Sequence, residues 1–139
     1  MKYLLDVNAL LAWWHPTHVS HPCFHVWGKQ VGFRSLNTCA LVELGFLRVS
    51  MQVYRFSLDD AQTALGAIRK RTGGYLADCP PPSLAGWAET AGKTTDAYLC
   101  QFALAHGLKL ATFDGGIRDT AVLLIPPTGA GKMKFKGEA

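Results

Sequence analysis

The sequence predicts an α/β fold, a three-layer α/β/α sandwich around a mostly parallel sheet. Two observations lead to this prediction. Short apolar runs, of the kind that form strands buried on both faces, are spaced along the chain. Segments with apolar residues at helical spacing separate them, and such alternation is typical of parallel sheets. The chain has 139 residues, 49% of them hydrophobic, so we expect one domain over 1–126 and a flexible tail over 127–139.

The first quarter of the chain predicts two strands with two helices between them. The apolar run Lys2–Leu5 predicts the first strand, and a helix over Ala9–Trp14 follows it. A second helix is expected over His18–Gln30, with Pro22 in its first turn, where proline is tolerated. The second strand is expected over Val31–Leu36.

Two longer helices are predicted in the middle of the chain. The first is capped by Asn37 or Thr38. Its buried face is expected to contain the apolar residues that recur at helical spacing, Ala40, Leu44, Leu47 and Met51. The second begins at Ser57, and Asp60 three residues later completes a capping-box pattern. It ends with three cations that suit the helix dipole, Arg69, Lys70 and Arg71.

The second half predicts one clear helix among shorter elements. That helix is capped by Thr94 or Thr95 and ends at Gly107. Its apolar positions are Leu99, Phe102, Ala103 and His106. The other expected elements are a strand over Leu76–Asp78, a proline loop over 80–82, a short helix over Ser83–Trp87, and strands over Leu108–Phe113 and Ala121–Ile125.

The net charge, the apolar opening and the cysteines limit which partners and which cellular location we expect, but they do not indicate a function. The formal net charge is +4, which is compatible with a nucleic-acid partner but does not establish one. Asp6 and Asn8 interrupt the apolar opening, so we expect no signal peptide, no membrane span and a cytoplasmic location. The scattered cysteines are expected to be reduced thiols, Cys23, Cys39, Cys79 and Cys100.

Four of the ten acidic residues are directed to one edge of the predicted sheet. Asp6 and Asp114 follow strands directly, and Glu43 and Asp96 lie early in helices that begin at the same edge. Ligand sites of parallel sheets lie beyond the carboxyl ends of the strands. Clustered carboxylates repel one another unless a cation is bound, and oxygen ligands favour Mg²⁺ or Mn²⁺. The pattern therefore predicts a divalent-metal site that could activate water at a phosphodiester.

Each acid also has a simpler interpretation. Asp6 could cap the following helix, and Asp96 could be a first-turn acid favoured by the dipole. Glu43 could lie on a solvated helix face, and Asp114 could be a turn residue before two glycines. Singly these readings are as good as catalysis, whereas jointly they leave the shared edge unexplained.

Four stretches then resemble a known family. They are LLDVNALLA at 4–12, LVELGFLRV at 41–49, TTDAYLCQFALAHGLKLATFDGGI at 94–117 and AVLLIP at 121–126. In this order the sequence is similar to a PIN domain, and more narrowly to a VapC-type toxin of a bacterial toxin–antitoxin pair. The resemblance implies a PIN-like sandwich and a Mg²⁺- or Mn²⁺-dependent endoribonuclease that cleaves transfer RNA or ribosomal RNA. It also implies a homodimer and a VapB-type antitoxin as partners.

The resemblance also implies roles for individual residues. Asp6, Glu43 and Asp96 would be the core acids, with Asp6 and Asp96 as direct metal ligands. Asp114 would be the fourth acid, and like Glu43 it would bind directly or through water. Three polar residues would support the acids: Asn8 and Thr112 beside Asp6, and Thr95 beside Asp96.

Four other features of the sequence have simpler interpretations than a functional site. The histidines His15, His18, His21 and His25 resemble a metal cluster, but Pro16 and Pro22 disturb the helix that would align them, so a groove or dimer surface is favoured. The segment Thr128–Lys132 lacks the full phosphate-loop spacing and is rejected. RNA contact is an even alternative to a solvated surface for the cations Arg69, Lys70, Arg71, Lys132, Lys134 and Lys136. Core or dimer-interface positions are expected for Trp13, Trp14 and Trp27.

Two other functions remain open at this point. An acid-cluster phosphotransferase would need a second acid two residues after its nucleophile, where this chain has Asn8. A module that binds RNA or an antitoxin without cleavage would show no metal dependence.

Overall fold

The structure, a computed structural model, describes residues 1–127. Within them lie five strands: β1 Tyr3–Leu5, β2 Leu36–Cys39, β3 Gly74–Leu76, β4 Lys109–Thr112 and β5 Val122–Leu124. Five α-helices connect them: α1 Val7–Trp14, α2 His21–Val31, α3 Ala40–Gln52, α4 Leu58–Arg71 and α5 Thr94–Ala105. Two short 3₁₀ turns occupy Phe33–Ser35 and Ala91–Lys93.

The strands form one fully parallel sheet in the order β3-β2-β1-β4-β5. The central strand β1 pairs with β2 on one side and β4 on the other. The chain therefore first moves outward from β1 to β3 and then returns to the opposite half of the sheet. Right-handed crossovers place the helices of these two excursions on opposite faces. Accordingly α1 packs on α2 and α3, α3 packs on α4, and α5 packs on β4, which confirms the predicted three-layer fold.

The core lies between the sheet and these helix layers. Leu4 and Leu110 on neighbouring strands are fully buried, as are Phe46 on α3 and Phe102 on α5. Gly45 permits the close crossing of α1 and α3, since a Cβ there would lie 2.5 Å from a Val7 methyl carbon. The helix layer therefore packs closely behind the first residues of α1.

The second strand begins later than predicted. Val31 is the last residue of α2, because Gly32 with a φ of 85° ends that helix. Ser35 then closes a 3₁₀ turn by donating its hydroxyl to the carbonyl oxygens of Val31 and Gly32. The expected strand Val31–Leu36 is therefore wrong except at Leu36. Asn37 and Thr38 are strand residues rather than helix caps, and Cys39 precedes α3.

Helix α3 forms as predicted, but the prediction of which of its residues are buried is wrong. Leu44 is 62% exposed and Met51 is 39% exposed. The helix instead buries Val42, Glu43, Gly45, Phe46 and Ser50. The polar members of that face have partners inside the fold, so their hydrogen bonds offset the cost of burial.

Three expectations for the second half also need correction. The third strand is Gly74–Leu76 rather than Leu76–Asp78, and no helix forms over Ser83–Trp87. Thr94 and Thr95 lie inside α5, whose N-cap is Lys93. The fourth and fifth strands are confirmed with slightly shorter bounds.

Several local predictions are confirmed. Ser57 and Asp60 form the reciprocal capping box at the start of α4. Gly107, with a φ of 70°, follows the end of α5 as a left-handed residue. Trp13 and Trp27 are core residues, 5% and 4% exposed.

Two further points concern what the described part of the chain contains. None of the helices within residues 1–127 is long and apolar enough to cross a membrane. The expected tail, apart from Pro127, lies outside the described residues. The same holds for the segment Thr128–Lys132 and for Lys134 and Lys136.

Candidate active site

The strand order places a topological switch point at the carboxyl end of β1. From this strand the chain leaves toward β2, and it later returns to β4 on the other side. Loops and helices at such a point diverge and leave a crevice above the sheet. Asp6 follows β1, Glu43 lies in the first turn of α3 after β2, and Asp114 lies two residues beyond β4. Asp96, in the first turn of α5, completes the set.

Asp6 is held at this edge by a hydrogen bond to each of its carboxylate oxygens. It caps α1, and its Oδ1 accepts a hydrogen bond from the Val7 backbone N–H at 2.8 Å. Its Oδ2 accepts one from the Thr112 hydroxyl at 2.8 Å. The side chain is only 6% exposed. Burial raises the pKa of Asp6 above its usual value, the two hydrogen bonds oppose that rise, and the charge of Asp114 adds to it.

Thr112 joins three polar groups around Asp6. Its oxygen accepts from the Asn8 amide nitrogen at 3.1 Å and from the Asp114 backbone N–H at 3.0 Å. The Asn8 carbonyl oxygen in turn accepts from the Phe113 N–H at 3.2 Å. Asn8 and Thr112, both predicted as supporting residues, therefore fasten the start of α1 to the end of β4.

Asp96 and Asp114 lie close enough to Asp6 for the carboxylate charges to interact. The pKa of Asp96 is raised first by burial and then by the charges of Asp6 and Asp114. Asp114 is exposed, and its Oδ1 accepts the Gly116 N–H at 2.8 Å in a side-chain turn. A cavity of about 190 Å³ is lined by Trp87, Lys93, Asp96, Asp114, Gly116, Ile117 and Arg118. Two cations thus flank the two carboxylates.

Thr95 is the neighbour of Asp96 along the chain, and the supporting role expected for it stays a prediction. It is exposed in the first turn of α5. Among residues 1–127 no hydrogen bond joins its side chain to Asp96.

Glu43 lies at the same edge but has partners of its own. It is 4% exposed, and its Oε2 accepts the Thr38 hydroxyl at 2.7 Å. The Arg69 guanidinium of α4 donates to both carboxylate oxygens, with Nε 3.2 Å from each, and Nη2 forms an ion pair with Oε1. The charges that raise the pKa of Asp96 are those of Asp6 and Asp114, and Glu43 is not among them. The structure therefore brings three aspartates together and holds Glu43 beside α4.

The donor set of these aspartates fits a hard divalent cation. Three carboxylates supply only oxygen ligands. Burial is the main reason that the pKa values of Asp6 and Asp96 are raised, and the charges of neighbouring aspartates add to each rise, a repulsion that a cation would relieve. Within residues 1–127, no group of three or more His, Cys, Asp or Glu side chains is placed so that it could hold a metal ion. Mg²⁺ usually keeps several waters and is held by one or two carboxylates, so it needs fewer protein ligands than such a group provides.

Two features of the site were missed in the sequence. The first is the Glu43–Arg69 pair, whose members are 26 positions apart in the sequence. A buried glutamate requires a partner of opposite charge. Arg69 lies one helical turn after the buried Leu65, so it is on the side of α4 that faces the core. The spacing of Leu65 and Arg69 could have indicated that Arg69, unlike Lys70 and Arg71, is the partner of a buried acid. The flanking Lys93 and Arg118 belong to no sequence motif, because their closeness depends on the segments that follow β3 and β4.

The histidines serve the fold rather than a shared site. The prediction of a groove or dimer surface is wrong for His15, which is 2% exposed, stacks on Tyr54 at 3.6 Å and pairs with the Ser50 hydroxyl at 2.8 Å. His21 and His25 bond the carbonyl oxygens of Ala12 and Trp13 at the end of α1. These carbonyls have no partner within their own helix, so the two rings satisfy them.

Comparison with known proteins identifies similar ribonucleases over most of the chain. No protein-family model matches the sequence. Ribonuclease VapC38 of Mycobacterium tuberculosis is 33% identical over 126 residues, covering 82% of this chain and 86% of that protein. Ribonuclease VapC39 of the same organism is 30% identical over 131 residues, 87% of this chain and 94% of that protein. Ribonuclease VapC44 is 31% identical over 131 residues, 88% and 92% of the two chains.

Proposed function

The chain belongs to the VapC family of ribonucleases, and from that membership we propose that it is a divalent-metal-dependent endoribonuclease. We propose further that it is the toxin of a toxin–antitoxin pair. Its substrate would be RNA, with transfer RNA or ribosomal RNA as the class, and its inhibitor a VapB-type antitoxin.

One observation supports the proposed activity: Asp6, Asp96 and Asp114 lie at the switch point of the sheet, close enough for their charges to act on one another. Mg²⁺ or Mn²⁺ bound there would supply the positive charge that attracts the phosphodiester and acidifies a water. Asp6 and Asp96 would hold the cation directly, and Asp114 directly or through water. Glu43 would join them directly or through water.

The chain's own residues divide the remaining work. Thr112 and the start of α1 hold Asp6 in one orientation, so its carboxylate does not have to be ordered when substrate arrives. Lys93 and Arg118 line the cavity beside Asp96, where their charges suit the phosphates that flank the scissile bond. The exposed Asp114 is the acid best placed to move a proton to or from solvent.

A cleavage assay tests this function. Purified protein is incubated with total transfer RNA and ribosomal RNA, with EDTA and then with Mg²⁺ or Mn²⁺ restored. We expect cleavage only with metal, and a loss of at least about a hundredfold in Asp96→Asn. Asp59→Asn is the matched control, because Asp59 is an exposed first-turn acid of α4. Cleavage in EDTA, or full activity of Asp96→Asn, contradicts the proposal. Metal-independent binding without cleavage supports an RNA- or antitoxin-binding module instead.

The same family membership supports a homodimer. Apolar side chains along one side of α3 are exposed, with Leu44 at 62% and Met51, two turns later, at 39%. Such side chains together form a surface that a second copy could cover. Sedimentation equilibrium of wild type and Leu44→Glu measures this. A dimer that dissociates in the variant supports the assignment, and a wild-type monomer refutes it.

A further inference from the structure

The Glu43–Arg69 pair is the most strongly built interaction among charged groups in the described chain. Both oxygens of Glu43 accept from the Arg69 guanidinium, and Oε2 also accepts from Thr38. The glutamate side chain is 5% exposed, whereas the arginine side chain is 55% exposed. The buried acid is therefore fixed and its cation reaches it from the solvent side.

A bidentate arginine is a close substitute for a metal ion at a carboxylate. It supplies a full positive charge and two parallel donors in the plane of the acid. The hydrogen bond that Arg69 donates to Glu43 is also the main reason that the pKa of Arg69 is raised. The guanidinium thus keeps its charge, and the carboxylate it holds is already neutralised.

Two cavities show how Glu43 is turned from the aspartates. Glu43 and Arg69 line a hollow of about 250 Å³ with Leu44, Leu47 and Leu65. Asp96 and Asp114 line the separate cavity beside Lys93 and Arg118. Glu43 therefore lies next to the metal-binding edge but faces the helix that bears Arg69.

We propose that Arg69 is a positioning residue that competes with the divalent cation for Glu43. This inference rests on the proposed metal-dependent function. While Arg69 holds Glu43, the site is a three-aspartate site. When Arg69 releases it, the fourth carboxylate is free for the metal. The guanidinium has room to leave, since an adjoining cavity of about 400 Å³ is lined by Thr38, Arg69, Thr72, Gly73, Gly74 and Tyr75.

Metal affinity, measured by calorimetric titration with Mn²⁺ alone, tests this competition without an activity readout. We expect Arg69→Gln to bind Mn²⁺ about three- to fivefold more tightly than wild type, the size expected of a half-exposed ion pair. The matched control is Lys70→Gln, which removes one positive charge from the exposed neighbouring position. The control is expected to bind as wild type or only slightly more tightly.

The Glu43→Gln background decides whether the effect passes through Glu43. The gain from Arg69→Gln should disappear there, because no carboxylate remains to be released. An equal gain in both backgrounds, or no difference between Arg69→Gln and Lys70→Gln, overturns the inference. If Arg69→Gln fails to fold by circular dichroism, Arg69→Lys replaces it. That variant keeps the charge but loses the bidentate contact, so it should bind Mn²⁺ more tightly than Lys70→Arg.

The proposed function fails separately from this inference. A wild-type protein that binds no Mn²⁺ refutes the metal-dependent activity and the competition together. A wild-type protein that binds Mn²⁺ with an affinity independent of Arg69 refutes only the competition.

Discussion

Replacement of Thr112 by valine should destabilise the chain because this hydroxyl organises the acidic edge. Thr112 is fully buried. Its hydroxyl donates to Asp6 Oδ2 at 2.8 Å, and its oxygen accepts from the Asp114 N–H at 3.0 Å. Valine has nearly the same shape but offers no polar atom. The two main losses are one hydrogen bond to the buried Asp6 carboxylate and the acceptor of the Asp114 N–H; the half-buried Asn8 amide also loses this acceptor.

The magnitude follows from these two losses. A hydrogen bond to a charged group contributes about 1.5–3 kcal/mol, and the extra buried methyl of valine offsets about 0.8 kcal/mol. With about 1–3 kcal/mol for the unpaired N–H included, the net cost is about 2–5 kcal/mol. For a domain of this size that lowers Tm by roughly 6–20 °C. The control Thr112→Ser keeps the hydroxyl and loses one methyl, which costs about 1 kcal/mol.

The sign of the pH dependence separates the lost hydrogen bond from a packing defect. The Thr112 hydroxyl lowers the pKa of Asp6 against the rise caused by burial, so Thr112→Val raises that pKa further. The bond stabilises the fold only while Asp6 is charged. The deficit of the variant should therefore be full above the pKa of Asp6 in the variant and should shrink as the pH falls through it.

Thermal unfolding followed by circular dichroism in EDTA, from neutral to mildly acidic pH, measures both effects. We expect Thr112→Val to be the less stable of the two variants at neutral pH and to approach Thr112→Ser on acidification. Equal melting temperatures of the two variants at neutral pH, or a deficit that is constant with pH, would refute this reasoning.

Three other perturbations have defined outcomes. Asp96→Asn should raise Tm in EDTA at neutral pH, because burial and neighbouring charges raise the pKa of this acid. The gain in Tm should vanish as the pH falls through the pKa of Asp96 in the folded protein. A Tm below that of the wild type at neutral pH would contradict this prediction. Gly73→Ala should lower the free energy of unfolding in urea by at least about 3 kcal/mol, since its Cβ would lie 1.8 Å from a carbonyl oxygen of the first 3₁₀ turn. The control Gly66→Ala, inside α4, has open space around its Cβ and should raise the free energy of unfolding by about 0.5–1 kcal/mol. Lys93→Gln with Arg118→Gln should weaken RNA binding in an Asp96→Asn background and reduce the salt slope by about 1–2 in fluorescence anisotropy; an unchanged slope would exclude phosphate contact by both.

The sheet and the edge that bears the acids could be predicted because both depend on local patterns. Short apolar runs indicate strands of a parallel sheet, and the parallel arrangement directs Asp6 and Asp114 to one edge. The capping box at Ser57 is likewise local. These features need no knowledge of distant contacts.

Features that depend on distant partners could not be predicted in the same way. Apolar spacing alone assigned Leu44 to the core of α3, but Glu43 and Ser50 are buried instead because Arg69 and His15 satisfy them. Their partners come from other helices. The catalytic roles of the four acids, and that of Glu43 in particular, stay predictions that metal binding and cleavage must test.

The central claim is that Asp6, Asp96 and Asp114 form a divalent-metal site. Anomalous diffraction from crystals soaked in Mn²⁺ tests it most directly. We predict one peak at this edge, about 2.2 Å from carboxylate oxygens of Asp6 and Asp96, with Asp114 bound directly or through water. A protein whose Mn²⁺ sites all lie elsewhere, or whose edge stays without a peak at saturating Mn²⁺, would contradict the account.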